Sequence, residues 1–345
     1  MYTLEQQYEL LKENPYFEYF GIEKEIELRK LTKEQMYAEF RKSNAEMAPY
    51  MVKYTNPYFH IPHLETKHFS FFKTGDMISI QEKIDGSNAH FTVEENGFDC
   101  RSNGCILNEH NHLKGFYFYV ADLVKKKAFP KGIKIYGEWL TPHHCEYPAE
   151  CYGKFYVFDI MENGAYWEQT EVKKFCEQHD LHYVPVFYEG PFSNWKDVLS
   201  YVGKTDLGGE SGEGVVIKNM SRLNQDSKPF YVKAVDTVYQ ETNRARDSVI
   251  AVSIEDLNKQ AEQYEAVRSI VTEARVRKII LKMIDENQLP ANYREMGLKL
   301  FFDKIKGAVI RDCMKEEGEI VKRVGSKFAP IMIDVLSEVL NTLEH

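Results

Sequence analysis

Residues 77–101 constrain the fold more than any other stretch. Met77, Ile78 and Ile80 lead into Lys83-Ile84-Asp85-Gly86, and Ala89, Phe91 and Val93 alternate with polar residues away from it. A period of two on either side of a glycine predicts strand, tight bend, strand. Asn96-Gly97 then joins strand 88–94 to a third strand at 98–101, because this dipeptide suits the positive φ angles of a two-residue hairpin. A lysine at the end of a buried strand, beside a glycine that admits close approach, is a candidate covalent nucleophile. Lys-x-Asp-Gly alone arises by chance too often to assign that chemistry.

The segments after residue 101 extend the pattern. Helices are predicted over Leu113–Lys127, Gln169–His179 and Asn194–Val202, and strands over Ile133–Trp139, Phe155–Ile160, His182–Tyr188, Gly214–Lys218 and Phe230–Val235. Hairpins mixed with helices predict an α+β fold with largely antiparallel sheets, not a doubly wound one. From residue 241 the pattern becomes helical, with helices over Ala261–Glu286, Met296–Glu316 and Lys327–Leu343 forming an all-α C-terminal domain. Residues 1–75 read as a helical and aromatic extension. Thr3–Glu13 is helix-like, Thr32-Lys33-Glu34-Gln35 is a capping box opening a helix to about Glu46, and Tyr54–His63 is aromatic and punctuated by proline. That last stretch packs on the next domain or offers rings for stacking on bases. The expected segmentation is therefore 1–75, 76–240 and 241–345.

Composition limits the partners. A net charge of −9 argues against indiscriminate nucleic-acid binding but leaves room for a local basic groove. Arg275, Arg277, Lys278 and Lys282 form a basic cluster that either faces a phosphate backbone or is a solvated helix face. No run of about 18 apolar residues and no N-terminal leader pattern is present, which predicts a cytoplasmic protein without a membrane span. The six cysteines, with no Cys-x-x-Cys pair, read as reduced thiols. Cys100, Cys105, His110 and His112, and likewise His143, His144, Cys145 and Cys151, include zinc-ligand types. Neither spacing matches a common structural zinc pattern, so packing and surface roles are expected. Leu343-Glu344-His345 resembles the start of an appended tag.

Four further stretches supply partners for Lys83. They are Ile135-Tyr136-Gly137-Glu138-Trp139, Phe155-Tyr156-Val157-Phe158-Asp159-Ile160, Glu213-Gly214-Val215-Val216-Ile217-Lys218 and Phe230-Tyr231-Val232-Lys233. With Lys83-Ile84-Asp85-Gly86 they stand in the order of nucleotidyltransferase motifs I, III, IIIa, IV and V. Over residues 76–340 the chain thus resembles the covalent nucleotidyltransferases, and most nearly the ATP-dependent RNA ligases of the RNA ligase 2 type. Asn88 five residues after the lysine, Arg101 beyond the hairpin and the Phe155–Ile160 stretch carry that closer resemblance. DNA ligases and capping enzymes follow motif V with a β-barrel, and no strand-rich segment follows here.

The resemblance implies a nucleotidyltransferase (ATP-grasp-like ligase) core, ATP and Mg2+ as cofactors, RNA ends as substrate and a monomer. It implies RNA repair, in which 3′-OH and 5′-phosphate ends are sealed through a covalent lysyl-AMP. Attack on ATP needs a neutral amine, so Lys83 requires a lowered pKa from burial or from the positive charge of Lys218 and Lys233, which would also hold the α-phosphate. Glu138 and Glu213 would position magnesium or its waters. Phe158 would stack on adenine, with Val216 beside the nucleotide. Arg101 and Asn88 would meet phosphate or the RNA 5′ end. Asp85 would orient the lysine or the metal, and Glu82 and Ile84 would contact the nucleotide. One departure stands out: where the family has Lys-x-Lys, this chain has Lys233-Ala234-Val235. Lys233 alone suffices, Arg222 or Lys228 substitutes, or catalysis is weakened. The alternatives are a DNA ligase, a GTP-dependent capping enzyme, and a non-catalytic RNA-binding protein on a ligase scaffold.

Overall fold

The computed structural model describes residues 2–54, 58–223, 229–236, 253–290 and 292–343. Thr55, Asn56, Pro57, Lys228 and the tag-like Glu344-His345 lie outside the described residues. Two compact units emerge. One gathers Met1–His63, Met77–Gly190 and Tyr201–Thr242, and the other Leu64–Asp76, Pro191–Ser200 and Asn243–His345. The N-terminal extension is thereby divided. Leu11, Phe20 and Ile22 enter the core of the first unit, whereas Leu64 to Asp76 belong to the helical one.

The first unit contains two largely antiparallel sheets. One has strand order β10-β9-β1-β8, from β1 (Met77–Lys83), β8 (Val186–Pro191), β9 (Gly214–Leu223) and β10 (Pro229–Val235). The other runs β3-β2-β4-β5-β6, from β2 (Ser87–Glu94), β3 (Gly97–Ser102), β4 (Lys134–Trp139), β5 (Phe155–Glu162) and β6 (Ala165–Tyr166). The predicted hairpin forms, with Glu94 opposite Gly97. Predicted strand His182–Tyr188 is instead two pieces. His182–Tyr183 (β7) pairs in parallel with β5, whereas β8 joins the first sheet. Pro185 lies between them, and without an N–H it cannot continue a ladder. The chain thus changes sheets at the point where the Pro185 carbonyl accepts a hydrogen bond from the Glu82 amide at 2.9 Å.

Predicted helix Leu113–Lys127 begins only at Phe116, because Leu113, Lys114 and Gly115 all have positive φ. Its apolar face, with Phe116, Val120 and Leu123, packs against Phe91, Ile135 and Phe155 in the core cluster. The capping box at Thr32 forms as expected: Thr32 N–H donates to Gln35 Oε1 at 2.9 Å and Gln35 N–H to Thr32 Oγ1 at 3.3 Å.

The helical unit contains the helices Ile254–Ile270, Glu273–Asp285, Leu298–Glu316, Gly318–Val324 and Phe328–Leu343. The continuous helix expected over Ala261–Glu286 is broken at Val271, where Thr272 caps a new helix by accepting a bond from Arg275 N–H. Phe69, Trp195, Tyr264, Val267, Phe328 and Met332 are among its buried core residues. Arg275 is not offered to a phosphate backbone: it pairs with Glu317 at 2.7 Å and Asp312 at 3.2 Å, while Arg277 pairs with Glu273. No described helix is long and apolar enough to cross a membrane.

Candidate active site

Sheet register decides which side chains meet. Lys83 lies opposite Gly214, and Gly214 opposite Val235; Gln81, Val216 and Lys233 form the next row, and Ser79, Lys218 and Tyr231 the third. Directly opposed residues share a face, and so do residues two apart. Lys83, Lys233 and Lys218 therefore descend one face of this sheet. In the second sheet Asn88 lies opposite Glu138, and His90 opposite both Arg101 and Tyr136. Between them is a cavity of about 470 Å³, within the size range of ligand pockets.

The cavity is lined by Glu82, Lys83, Ile84, Asn88, Glu138, Phe158, Val216, Lys218 and Lys233, nine of the residues singled out from the sequence. Tyr58, Phe59, His60, Ile61, Gln81, Asn103 and Val184 complete the wall. The first four come from the aromatic stretch of the N-terminal extension. Its density of rings was the only signal for them, and that signal did not separate a pocket wall from ordinary packing. Glu213 adjoins the cavity through Lys83, whose Nζ lies 2.6 Å from Glu213 Oε2. Asp85 and Arg101 are not brought to the lining. Asp85 Oδ2 accepts bonds from the His144 and Cys145 amides at 2.7 Å each, and Arg101 pairs with Asp99 with its guanidinium 4.3 Å from the centre of the Tyr54 ring.

The electrostatics correct one expectation. Burial pulls the Lys83 pKa down, but Glu213, Glu138 and Asp85 outweigh it and raise the pKa above that of an ordinary lysine. The expected lowering fails because the nearest charges are carboxylates. Lys218 does not help. Its buried ammonium is taken by Phe158 O at 2.7 Å, Asp159 Oδ1 at 3.1 Å and Gln169 Oε1 at 3.1 Å, three acceptors for three protons. Lys218 therefore ties the strand carrying Phe158 to the first sheet from the cavity wall. Burial lowers its pKa against the pull of Asp159.

Glu138 shows the reverse effect. Burial pushes its pKa up to about 8; Lys83 and a bond from Gly86 oppose the shift, while Glu213 and Asp85 add to it. Burial raises Glu213 as well, against Lys83. Two crowded carboxylates whose ionisation is suppressed make a donor set suited to an oxygen-seeking divalent cation. A pH-dependent stability follows. The protonated Glu138 is favoured in the fold, so its contribution is complete below the ordinary value of 4.5 and is lost as pH rises through about 8. Saturating Mg2+ is expected to raise the melting temperature by on the order of 5 °C at pH 8 and by clearly less at pH 6, where a proton must first be displaced. Equal gains at both pH values would contradict this.

Gly86 is required sterically. A Cβ there would lie 2.6 Å from the Trp139 carbonyl oxygen and 3.0 Å from Glu138 Cγ. Gly86→Ala is expected to destabilise the fold by about 1–3 kcal/mol, as overpacking does, measured by urea unfolding.

Val235 is buried in the row of Lys83 and Gly214, on the pocket face. Arg222 cannot stand in for a second lysine: it lies eight residues along β9 from Gly214, about 26 Å at the rise of an extended strand.

Two sheets, a strand-end lysine paired with a carboxylate and an aromatic-walled cavity between them make up the candidate site. Residues 76–235, slightly under half of the chain, match the family model described as RNA ligase. Over that segment the resemblance to RNA ligases is shown. Among solved structures, a mutant Naegleria gruberi RNA ligase with ATP and Mn is similar at 16% identity and a TM-score of 0.43, covering 56% of this chain and 61% of that one. The same enzyme with PPi is similar at 17% identity and a TM-score of 0.42, covering 56% and 60%. The chain thus spans about three-fifths of the length of these structures. No curated protein matches it.

Proposed function

We propose that the protein is an ATP-dependent RNA ligase that seals 3′-hydroxyl and 5′-phosphate RNA ends through a lysyl-AMP intermediate. The observation that carries this reading is Lys83, at the edge of the cavity and 2.6 Å from Glu213, with Glu138 across the gap and Phe158 and Tyr58 as aromatic walls. Adenine stacks against the rings, and the triphosphate extends toward Lys83 and Lys233.

The free protein holds Lys83 as ammonium. Glu213 is the nearest base; it accepts the proton and passes it to solvent, which restores the carboxylate. The neutral amine then attacks the α-phosphorus, a P–N bond forms and pyrophosphate leaves. A 5′-phosphate oxygen of RNA next attacks the same phosphorus, and the P–N bond breaks with return of a proton to Lys83. The 3′-hydroxyl finally displaces AMP and forms the phosphodiester. Glu138 and Glu213 would hold a magnesium ion, which supplies countercharge for the phosphates. Lys233, in the row beside Lys83 and on the cavity wall, is the cation that meets the α-phosphate in this reading.

The test is incubation of the full chain with α-labelled ATP or GTP and Mg2+, followed by nicked RNA or nicked DNA. Covalent label from ATP and sealing of RNA are expected. Label from GTP alone would instead favour a capping-type enzyme, and sealing of DNA alone a DNA ligase. Val235 favours a second reading, an RNA-binding protein without catalysis; RNA retention with no label from any nucleotide would establish it.

A further inference from the structure

The bend that carries Lys83 holds a second constellation, on Asp85. His143 and His144 follow β4 and come back to this carboxylate: His143 Nδ1 lies 3.9 Å from Asp85 Oδ1, and His144 Nδ1 lies 3.8 Å from Oδ2. One ligand atom from each of the three residues falls within a 4.8 Å group. These separations are too long for hydrogen bonds. They approach the ~3.3–3.4 Å that two ligands of a tetrahedral ion keep at bond lengths of ~2.0–2.1 Å. The His144 side chain is 63% exposed, which leaves its ring room to turn toward the carboxylate.

The surroundings orient these groups as a second shell does. Ser87 Oγ lies 3.4 Å from His143 Nε2, which leaves the Nδ1 side toward Asp85. The two amide bonds on Oδ2 fix the carboxylate and tie the His143–Cys145 loop to it. The sequence had grouped His143 and His144 with Cys145 and Cys151. Both thiols are buried, Cys151 Sγ lies 3.5 Å from the Leu207 carbonyl, and neither belongs to the group. Asp85, more than fifty residues away in sequence, takes the place that the cysteines held in that pattern.

We propose that Asp85, His143 and His144 bind a divalent transition metal of the zinc type, at a site distinct from the Glu138–Glu213 pair. Two imidazoles and one carboxylate suit a borderline-soft ion, whereas an all-carboxylate pair suits magnesium. Three protein ligands leave a position open to water. Because Asp85 is two residues from Lys83, metal at this site clamps the loop after β4 onto the bend that positions the nucleophile.

The experiment is titration of the chelator-treated full chain with Zn2+ alone, and with Co2+ alone as a visible-absorption probe. One zinc equivalent is expected, with Co2+ bands of low coordination number. His143→Ala/His144→Ala should weaken zinc by more than the ~10–100-fold that loss of an outer-shell partner produces. His144→Gln, at an exposed side chain, should weaken it without disturbing the fold, and Glu138→Gln should leave it intact. Absence of zinc uptake, uptake indifferent to both histidine variants, or uptake lost in Glu138→Gln but kept in the histidine variants would each overturn the proposal. None of these readouts depends on ligase activity.

Discussion

Lys83→Ala is expected to reduce covalent labelling by α-labelled ATP to background. Lys83→Arg should do the same. Without an amine no phosphoramidate forms, and a guanidinium keeps the charge but does not deprotonate in a protein. The arginine variant therefore separates a nucleophile from a mere countercharge for Glu213, 2.6 Å away. Both variants should remain folded. The pair is partly exposed, and Glu213, already raised by burial, can take up a proton once its partner is gone. Chemical unfolding should show midpoints near that of the wild type. Undiminished label on either variant would remove the lysyl-AMP mechanism. ATP binding should survive in both, because Phe158 and Tyr58 line the cavity independently of Lys83.

Asp159→Ala should give the largest loss of stability, about 3–5 kcal/mol, the usual result of leaving a buried charge without its partner. Lys218 has 1% side-chain exposure and Asp159 none. With Asp159 gone, the ammonium keeps only the Phe158 carbonyl and Gln169 Oε1. Lys218→Met should cost less. The carboxylate it strands still accepts bonds from Tyr58, Gln169 and Tyr231, and donors of this kind stabilise a carboxylate. Urea unfolding of the two variants measures the asymmetry; a larger loss for Lys218→Met would contradict the assignment. Lys218→Met should also raise the KM for ATP in the labelling reaction, because Phe158 loses the cation that holds its backbone.

Strand periodicity read most of the sheets correctly, because alternation of apolar and polar residues reports a half-buried strand directly. It failed at Pro185, where one apolar run serves two sheets, and at Leu113–Gly115, where three consecutive left-handed residues delay the helix. It failed again at Val271, a boundary that helical spacing alone did not mark. The glycines were legible as motif members, while their physical role emerged from contacts. At Gly214 a Cβ would stand 2.2 Å from the Ala234 carbonyl oxygen, so the close approach of β9 and β10 requires glycine there.

Within the site, the residues that meet at the cavity were mostly legible in the chain. Lys83, Glu138, Phe158 and Glu213 follow from motif order, and from the need of amine, carboxylate and ring for this chemistry. Their electrostatic state was not, since a pKa depends on the nearest charges and on burial, both of which come from residues distant in sequence. Sequence alone determined that a lysine ends a strand at a bend, and that two carboxylates and two further lysines follow in order. Only the tertiary structure decided that one of those lysines, Lys218, is paired with Asp159, that carboxylates around Lys83 raise its pKa, and that Val235 lies in the row of Lys83. It also decided that Tyr58 and Phe59 wall the cavity and that Asp85 turns to His143 and His144. The physical reason is that a side chain's partners are set by sheet register and by the packing of one sheet on another, and a linear pattern carries neither.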